Sequence, residues 1–229
     1  AADAVLIVVD AVAGIDMGAS HLRIVIANFA AHALEEEEIA LNIADGPDIC
    51  IAQTDTLLRD LLMRANLQID ALAAIGICVP GPISSDAGMV IAPPIMPGWD
   101  RFPIRDTLEK LWGRPVSVNN DAKLGALGEW AYGAGRGTRD LAYIKVGTGI
   151  GAGLLIDGRI YRGSTGSAGE IGHMTMDSEG PFCTCGNRGC LEAFSGGHAI
   201  ARQAQEALNS GYRSQLIQIS PEKITAKHV

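Results

Sequence analysis

Residues 170–192 read Glu170-Ile171-Gly172-His173-Met174-Thr175-Met176-Asp177-Ser178-Glu179-Gly180-Pro181-Phe182-Cys183-Thr184-Cys185-Gly186-Asn187-Arg188-Gly189-Cys190-Leu191-Glu192. Three of the chain's 5 cysteines fall here, inside one glycine-punctuated run. Cys-x-Cys followed by Gly-Asn-x-Gly-Cys lets the backbone turn back on itself, so all three sulfurs can face one point. With His173 they supply four soft or borderline donors, the set of a closed tetrahedral Zn²⁺ site. Closed four-ligand sites are structural. Zn²⁺ on His173, Cys183, Cys185 and Cys190 is therefore expected to brace a loop and not to perform chemistry. Glu170 and Glu192 flank that loop.

Outward from this stretch, the pattern alternates strands and helices, which argues for an α/β class. Val12–Asp16 reads as a buried strand ending in a glycine turn, and His21–Ala27 alternates as its hairpin partner. Glu35–Glu38 is a charge run, expected on a solvated strand edge or turn. Thr54–Asn66 places Leu57, Leu58, Leu61 and Leu62 on one helical face. Ala73–Val79 is a short strand closed by Pro80-Gly81-Pro82. Asp106–Trp112 is a helix stopped by Gly113, Pro115–Val118 a strand, and Asn119–Tyr132 a helix. Leu141–Val146 and Ala152–Ile156 then form a second hairpin around a glycine turn, with a tight turn at Asp157-Gly158. Ala199–Leu208 is the last helix. Strand, glycine turn, strand thus occurs twice, near residues 12–27 and 141–160.

The 229 residues are 48% hydrophobic, ample for one large or two small cores. A net charge of −8 excludes nucleic-acid binding by this body alone, since phosphate contacts need clustered Lys and Arg. No run of about 18 apolar residues argues for a membrane span. The apolar start Ala4–Val9 lacks a basic leader and is bounded by Asp3 and Asp10, so a secretory signal is not expected. Reduced metal-binding cysteines fit the cytoplasm. Cys50 and Cys78 stand in apolar surroundings and are expected as small core residues.

Three further segments carry chemistry. Asp16-Met17-Gly18-Ala19-Ser20-His21 sets a glycine turn between two strands, where backbone N–H groups can cradle a phosphate; an ordinary hairpin turn accounts for it equally well. Gly147-Thr148-Gly149-Ile150-Gly151-Ala152-Gly153 holds four glycines in seven residues. Each weakens a strand by roughly 0.5–1 kcal/mol relative to Ala, so close approach of a ligand, a phosphate above all, explains the run better than packing. Asn119-Asn120-Asp121 opens a helix with preferred capping residues. The helix N-terminus also favours Asp121 as an anion. A carboxylate beside a substrate hydroxyl can take its proton, an effect typically worth ~10²–10⁴-fold.

Glu170-Ile171-Gly172-His173 with Cys183-x-Cys185-Gly186-Asn187-x-Gly189-Cys190-Leu191-Glu192 resembles the signature of the ROK family, which contains sugar kinases and sugar-sensing transcriptional regulators. The resemblance runs from about Gly14 to the C-terminus. It implies an actin-like, hexokinase-type (ribonuclease H-like) fold of two lobes around a cleft, divided here into residues 1–119, with the first phosphate-type hairpin, and 120–229, with the second glycine loop and the zinc loop. The chain looks short for that fold, as if its second lobe were truncated. The resemblance makes Asp121 the counterpart of a catalytic base, and Gly81, Asn120, Asp121, Glu170, His173 and Glu192 the counterparts of sugar-contacting residues. Asp16, Gly18, Ser20, Gly147, Thr148 and Gly149 match phosphate and nucleotide positions.

Family kinases typically carry Asp-x-Gly-Gly-Thr-Lys at the first turn. This chain has Ala19, Ser20 and His21 instead, and Pro94-Ile95-Met96 where kinases more often place an Asn before the Gly-Trp pair. These departures favour a sugar-binding effector domain of a regulator, with hexose or aminosugar as ligand and DNA bound only through a segment absent from this chain. The alternative is an ATP-dependent sugar kinase using Mg-ATP. The family's habit implies a homodimer. Trp99, in Gly98-Trp99, is expected as a core anchor.

Overall fold

The computed structural model of the chain describes residues 11–84, 87–91, 96–164 and 166–229. The apolar start Ala4–Val9 and the Ala92-Pro93-Pro94-Ile95 stretch lie outside the described residues. The chain divides into two compact units, one reaching Asp121 and one running Ala122–Val229.

In the first unit, apolar side chains at every second position give β1 (Ala11–Met17) and β2 (His21–Asn28) one buried face each. Ala11, Ala13, Ile15 and Met17 point into the core with Leu22, Ile24 and Ile26. The two strands pair antiparallel, from Ala11 opposite Asn28 to Met17 opposite Leu22. β3 (Ala33–Ala40) pairs antiparallel with β2 and is the outer strand of the sheet. It carries the Glu35–Glu38 run, which is indeed a solvated strand edge. Arg64 reaches Glu35 (3.1 Å) and Glu37 (2.6 Å), while Arg23 meets Glu36 (2.9 Å) on the alternate face.

α1 (Pro47–Arg64) begins earlier than the leucine stripe suggests, because Gly46 at φ 92° breaks the chain and Pro47 occupies the first helical turn. Its Leu57, Leu58, Leu61 and Leu62 pack into the same core as the strands. β4 (Leu72–Val79) runs parallel to β1. A two-stranded ribbon, β5 (Ile83–Ser84) and β6 (Met89–Val90), follows. α2 (Ile104–Trp112) buries Ile104, Leu108 and Trp112 and stops at Gly113 in the left-handed region (φ 64°). β7 (Val116–Asn120) pairs parallel with β4, completing the order β3-β2-β1-β4-β7. Trp99 is the expected core anchor: it is fully buried, its Nε1 donates to the Ile43 carbonyl at 3.1 Å, and it meets Phe102 edge-on.

Asn119 and Asn120, expected in the next helix, belong to β7, where they pair with Cys78 and Val79. The parallel ladder claims their backbone, and α3 (Asp121–Tyr132) starts after them, at Asp121.

The second unit repeats the hairpin theme. β8 (Leu141–Val146), β9 (Ile150–Ile156) and β10 (Arg159–Ile160) form an antiparallel sheet in the order β10-β9-β8. Asp157 and Gly158 both sit at positive φ (52° and 70°), the backbone of a two-residue type I′ hairpin turn. α3 lies close on β9: a Cβ at Gly153 would overlap the Ala122 backbone and sit 2.5 Å from the Ala126 methyl. α4 (Leu191–Ser195) and α5 (Gly197–Asn209) close the unit. Among the described residues, no helix is long and apolar enough to cross a membrane.

Candidate functional site

The metal donors assemble as their spacing predicts. Ile171–His173 forms a single 3-10 turn after Glu170, whose carbonyl accepts the His173 N–H at 3.1 Å. Cys183 and Asn187 close a tight knuckle, with the Cys183 amide donating to the Asn187 carbonyl (2.8 Å) and the Gly186 amide to the Cys183 carbonyl (3.0 Å). Gly189 lets the chain return: it holds φ 64° and a side chain there would collide with the Asp177 backbone.

The result brings His173, Cys183, Cys185 and Cys190 together, their ligand atoms all within 4.8 Å of one another. Cys183 Sγ lies 3.7 Å from His173 Nδ1, and Cys185 Sγ 3.7 Å from Cys190 Sγ. A tetrahedron with Zn–S bonds of about 2.3 Å has edges of about 3.8 Å, so the donor set fits Zn²⁺ in number, type and spacing. No disulfide competes for the sulfurs. Burial and the neighbouring thiols push the pKa of the Cys190 thiol up to about 12. Cys185, although burial works the other way, is held below its ordinary value by hydrogen bonds from the Asn187 backbone and from the Cys183 and Cys190 thiols. Thiols cannot all ionise in so small a space, and a cation at their centre removes that conflict.

Two carboxylates are built onto this knuckle. Glu192 stands two residues after Cys190, in the first turn of α4, and its Oε2 accepts the Ile150 N–H at 2.8 Å. That contact places it beside Gly149 in the second glycine turn. The turn itself is short: Gly147 N–H donates to Gly149 C=O (2.9 Å), and Gly147 C=O accepts the first amide of α5, from Gly197 (2.8 Å). The second unit therefore gathers Glu192, Gly147, Thr148 and Gly149 with the His-Cys-Cys-Cys knuckle. Packing against α3 accounts for Gly153 and the Glu192 carboxylate fills the space beside Gly149, so the ligand argument rests on Gly147, where an added Cβ meets nothing.

Glu170 is approached by a residue the sequence does not single out. Lys123, in the first turn of α3, is 3% exposed and donates through Nζ to the Gly166 carbonyl. Burial lowers its pKa, Glu170 opposes that shift and Arg162 adds to it. Nothing in Asp121-Ala122-Lys123-Leu124-Gly125-Ala126 distinguishes a buried lysine from a solvated one; only the small residues around it hint at close packing.

In the first unit, Asn120 and Gly81 are joined, with Asn120 Nδ2 donating to the Gly81 carbonyl at 3.3 Å. Gly81 sits at φ 88° in its turn. Asp121 follows at the head of α3. At the first glycine turn, Asp16 has both carboxylate oxygens engaged: His21 Nε2 stands 3.3 Å from Oδ2, and the Cys78 thiol donates to Oδ1 at 3.3 Å. Cys78, expected in the core, is thus only half-buried and turned toward Asp16, because strand alternation puts it on the face opposite Ile77 and Val79. Cys50 is fully buried, as expected. Ser20 is exposed.

Comparison with known proteins places these features in context. The chain is 32% identical over 222 residues to a xylose repressor of Caldicellulosiruptor bescii, covering 94% of this chain and 55% of that protein. It is 36% identical over 204 residues to a glucokinase of Halalkalibacterium halodurans, covering 89% and 62%. The chain therefore spans little more than half the length of these relatives. Its structure superposes on that of a ROK family glucokinase from Streptomyces griseus in complex with glucose and AMPPNP, with TM-score 0.84 and 27% identity, covering 95% of this chain and 69% of that one. The family model for ROK matches residues 12–229. The β3-β2-β1-β4-β7 sheet and the repeated hairpin are thus those of an actin-like, hexokinase-type fold, and the chain belongs to the ROK family.

Proposed function

We propose that this chain is the sugar-binding effector domain of a ROK-type transcriptional regulator. The observation that carries its sugar-binding part is the His-Cys-Cys-Cys knuckle built onto two carboxylates, with Glu192 pinned by the Ile150 amide and Glu170 opening the turn that ends at His173. A sugar ring presents hydroxyls on all sides and rewards fixed acceptors and donors. Gly81, Asn120, Asp121, Glu170, His173 and Glu192 are the proposed contacts. A Zn²⁺ held through His173 Nδ1 would leave Nε2 for a sugar hydroxyl, coupling the structural metal to the ligand. The proposed ligand is a monosaccharide, hexose or aminosugar: a relative named as a glucokinase supports the hexose, and one named for xylose, a pentose, supports only the wider monosaccharide class. DNA would be bound by a segment outside these residues, in a cytoplasmic homodimer.

Similarity to repressors and to kinases is nearly balanced, so the first glycine turn decides the order. Ala19 narrows the turn, and His21 stands where family kinases place a lysine. The second reading is an ATP-dependent sugar kinase. Asp121 at the head of α3 favours it, because that position suits a general base. The glycine turn at Gly147–Gly149 would then take the phosphates of Mg-ATP, which supplies the transferred phosphoryl group.

The full-length protein separates the two. A monosaccharide that changes its affinity for its own promoter DNA, with no sugar-dependent ATP hydrolysis, is the expected result. Robust sugar-dependent ATP turnover would overturn the regulator reading. In that case Asp121→Asn should abolish turnover while leaving sugar binding within about threefold, since the amide keeps the shape and loses the base.

A further inference from the structure

We infer that His21 is a specificity-determining residue that closes the first glycine turn to the phosphate tail of a nucleoside triphosphate. The inference rests on the family reading of that turn and adds the residue that shuts it.

Three features of the turn converge. The His21 ring lies over Gly18: an added Cβ there would stand 2.6 Å from Nδ1 and 2.7 Å from Nε2. Gly18 is the residue whose missing side chain would otherwise admit a phosphate to the backbone, yet the imidazole covers it and leaves it buried. Next, the Gly18 N–H donates to the His21 carbonyl at 2.9 Å, which fixes the backbone that carries the ring. Finally, Asp16 tethers the ring through Oδ2 at 3.3 Å, and its other oxygen receives the Cys78 thiol.

A triphosphate entering this turn must push the imidazole off Gly18 and compete with it for Asp16. In return it meets a ring where a flexible ammonium would offer charge-assisted hydrogen bonds. Steric closure and lost attraction therefore act in the same direction. The sugar contacts proposed above are on other segments, and closing this turn leaves them untouched. A domain closed in this way answers to sugar alone, whatever the cellular ATP concentration.

The test compares wild type, His21→Ala and His21→Lys in the full-length protein. The probe is the magnesium complex of AMPPNP, titrated by calorimetry, with the monosaccharide found in the assay above titrated separately. Removing the plug should tighten AMPPNP binding at least about tenfold in His21→Ala. His21→Lys should tighten it further, since a hydrogen bond to a charged group is worth about 1.5–3 kcal/mol, or roughly tenfold to a hundredfold. Sugar affinity should stay the same in all three proteins, which also shows that the variants fold. Equal AMPPNP affinities across the three, or tighter binding by wild type than by His21→Ala, overturn the inference; the ring would then be irrelevant to phosphate or a ligand for it. The sugar-site reading fails by a different signal, a wild-type protein that binds no monosaccharide, and the AMPPNP comparison is read independently of it.

Discussion

Single residues decide the chemistry here, and they differ in how openly the sequence shows them. His173, Cys183, Cys185 and Cys190 are legible as a cluster because a four-donor metal set needs specific atoms at specific spacings, and little else in a chain has that constraint. Cys185→Ser should reduce zinc from about one ion per chain to a trace by elemental analysis, and destabilise the fold by about 4 kcal/mol or more, the range reserved for metal loss and similar lesions. Acid should strip the wild type too: the metal must displace protons from the sulfurs, including one whose pKa is held up to about 12 on Cys190, so affinity falls as pH falls. Lys123 is not legible, because burial of a charge is a tertiary outcome that no local pattern encodes. Its pKa in the folded chain lies below the 10.5 of a free lysine, chiefly through burial. The folded state therefore binds fewer protons than the unfolded one over that window, and stability should rise as pH climbs from the folded pKa toward 10.5. Urea midpoints should show that rise in wild type and lose it in Lys123→Met.

Elements are easier to foresee than their ends. Strands β1 and β2 and the leucine stripe of α1 announce themselves by period, since each buries one face, whereas β8 is an apolar run with no fully buried residue. The start of α1 escapes that reading because Gly46-Pro47 is a backbone signal placed ahead of any apolar repeat. Asn119 and Asn120 go to β7 because pairing with β4 outweighs their preference for a helix cap. The run Gly147–Gly153 joins two causes that look alike in sequence: room for a turn at its start, and room for a helix at its end. Gly153→Ala separates them. The new methyl would meet the Ala122 backbone and the Ala126 methyl, so thermal unfolding should show a loss of about 1–3 kcal/mol, the usual cost of overpacking. The turn at Gly147 and Gly149 should keep its conformation, and affinity for any sugar the protein binds should be unchanged.

At the scale of the whole molecule, the recurrence of strand, glycine turn and strand is visible in the residues themselves, because each copy obeys the same local rules. Sheet order is not visible from those rules. It depends on which strands meet across long stretches of chain, and β4 slots beside β1 rather than beside its sequence neighbour β3. Among the described residues that order leaves β3 outermost, carrying four consecutive glutamates of which Glu36 and Glu38 face solvent. An unpaired strand edge invites a second chain to continue the sheet. A copy laying its own β3 alongside would set carboxylate against carboxylate across the new ladder, and directly opposed like charges disfavour such a pair. Beyond its ion pairs with Arg23 and Arg64, the glutamate run is thus a guard against fibre growth. Replacing Glu36 and Glu38 with valine should leave the native spectrum intact yet shorten the lag before light scattering rises in a concentrated, stirred solution; an unchanged lag would show that the edge is guarded by something else.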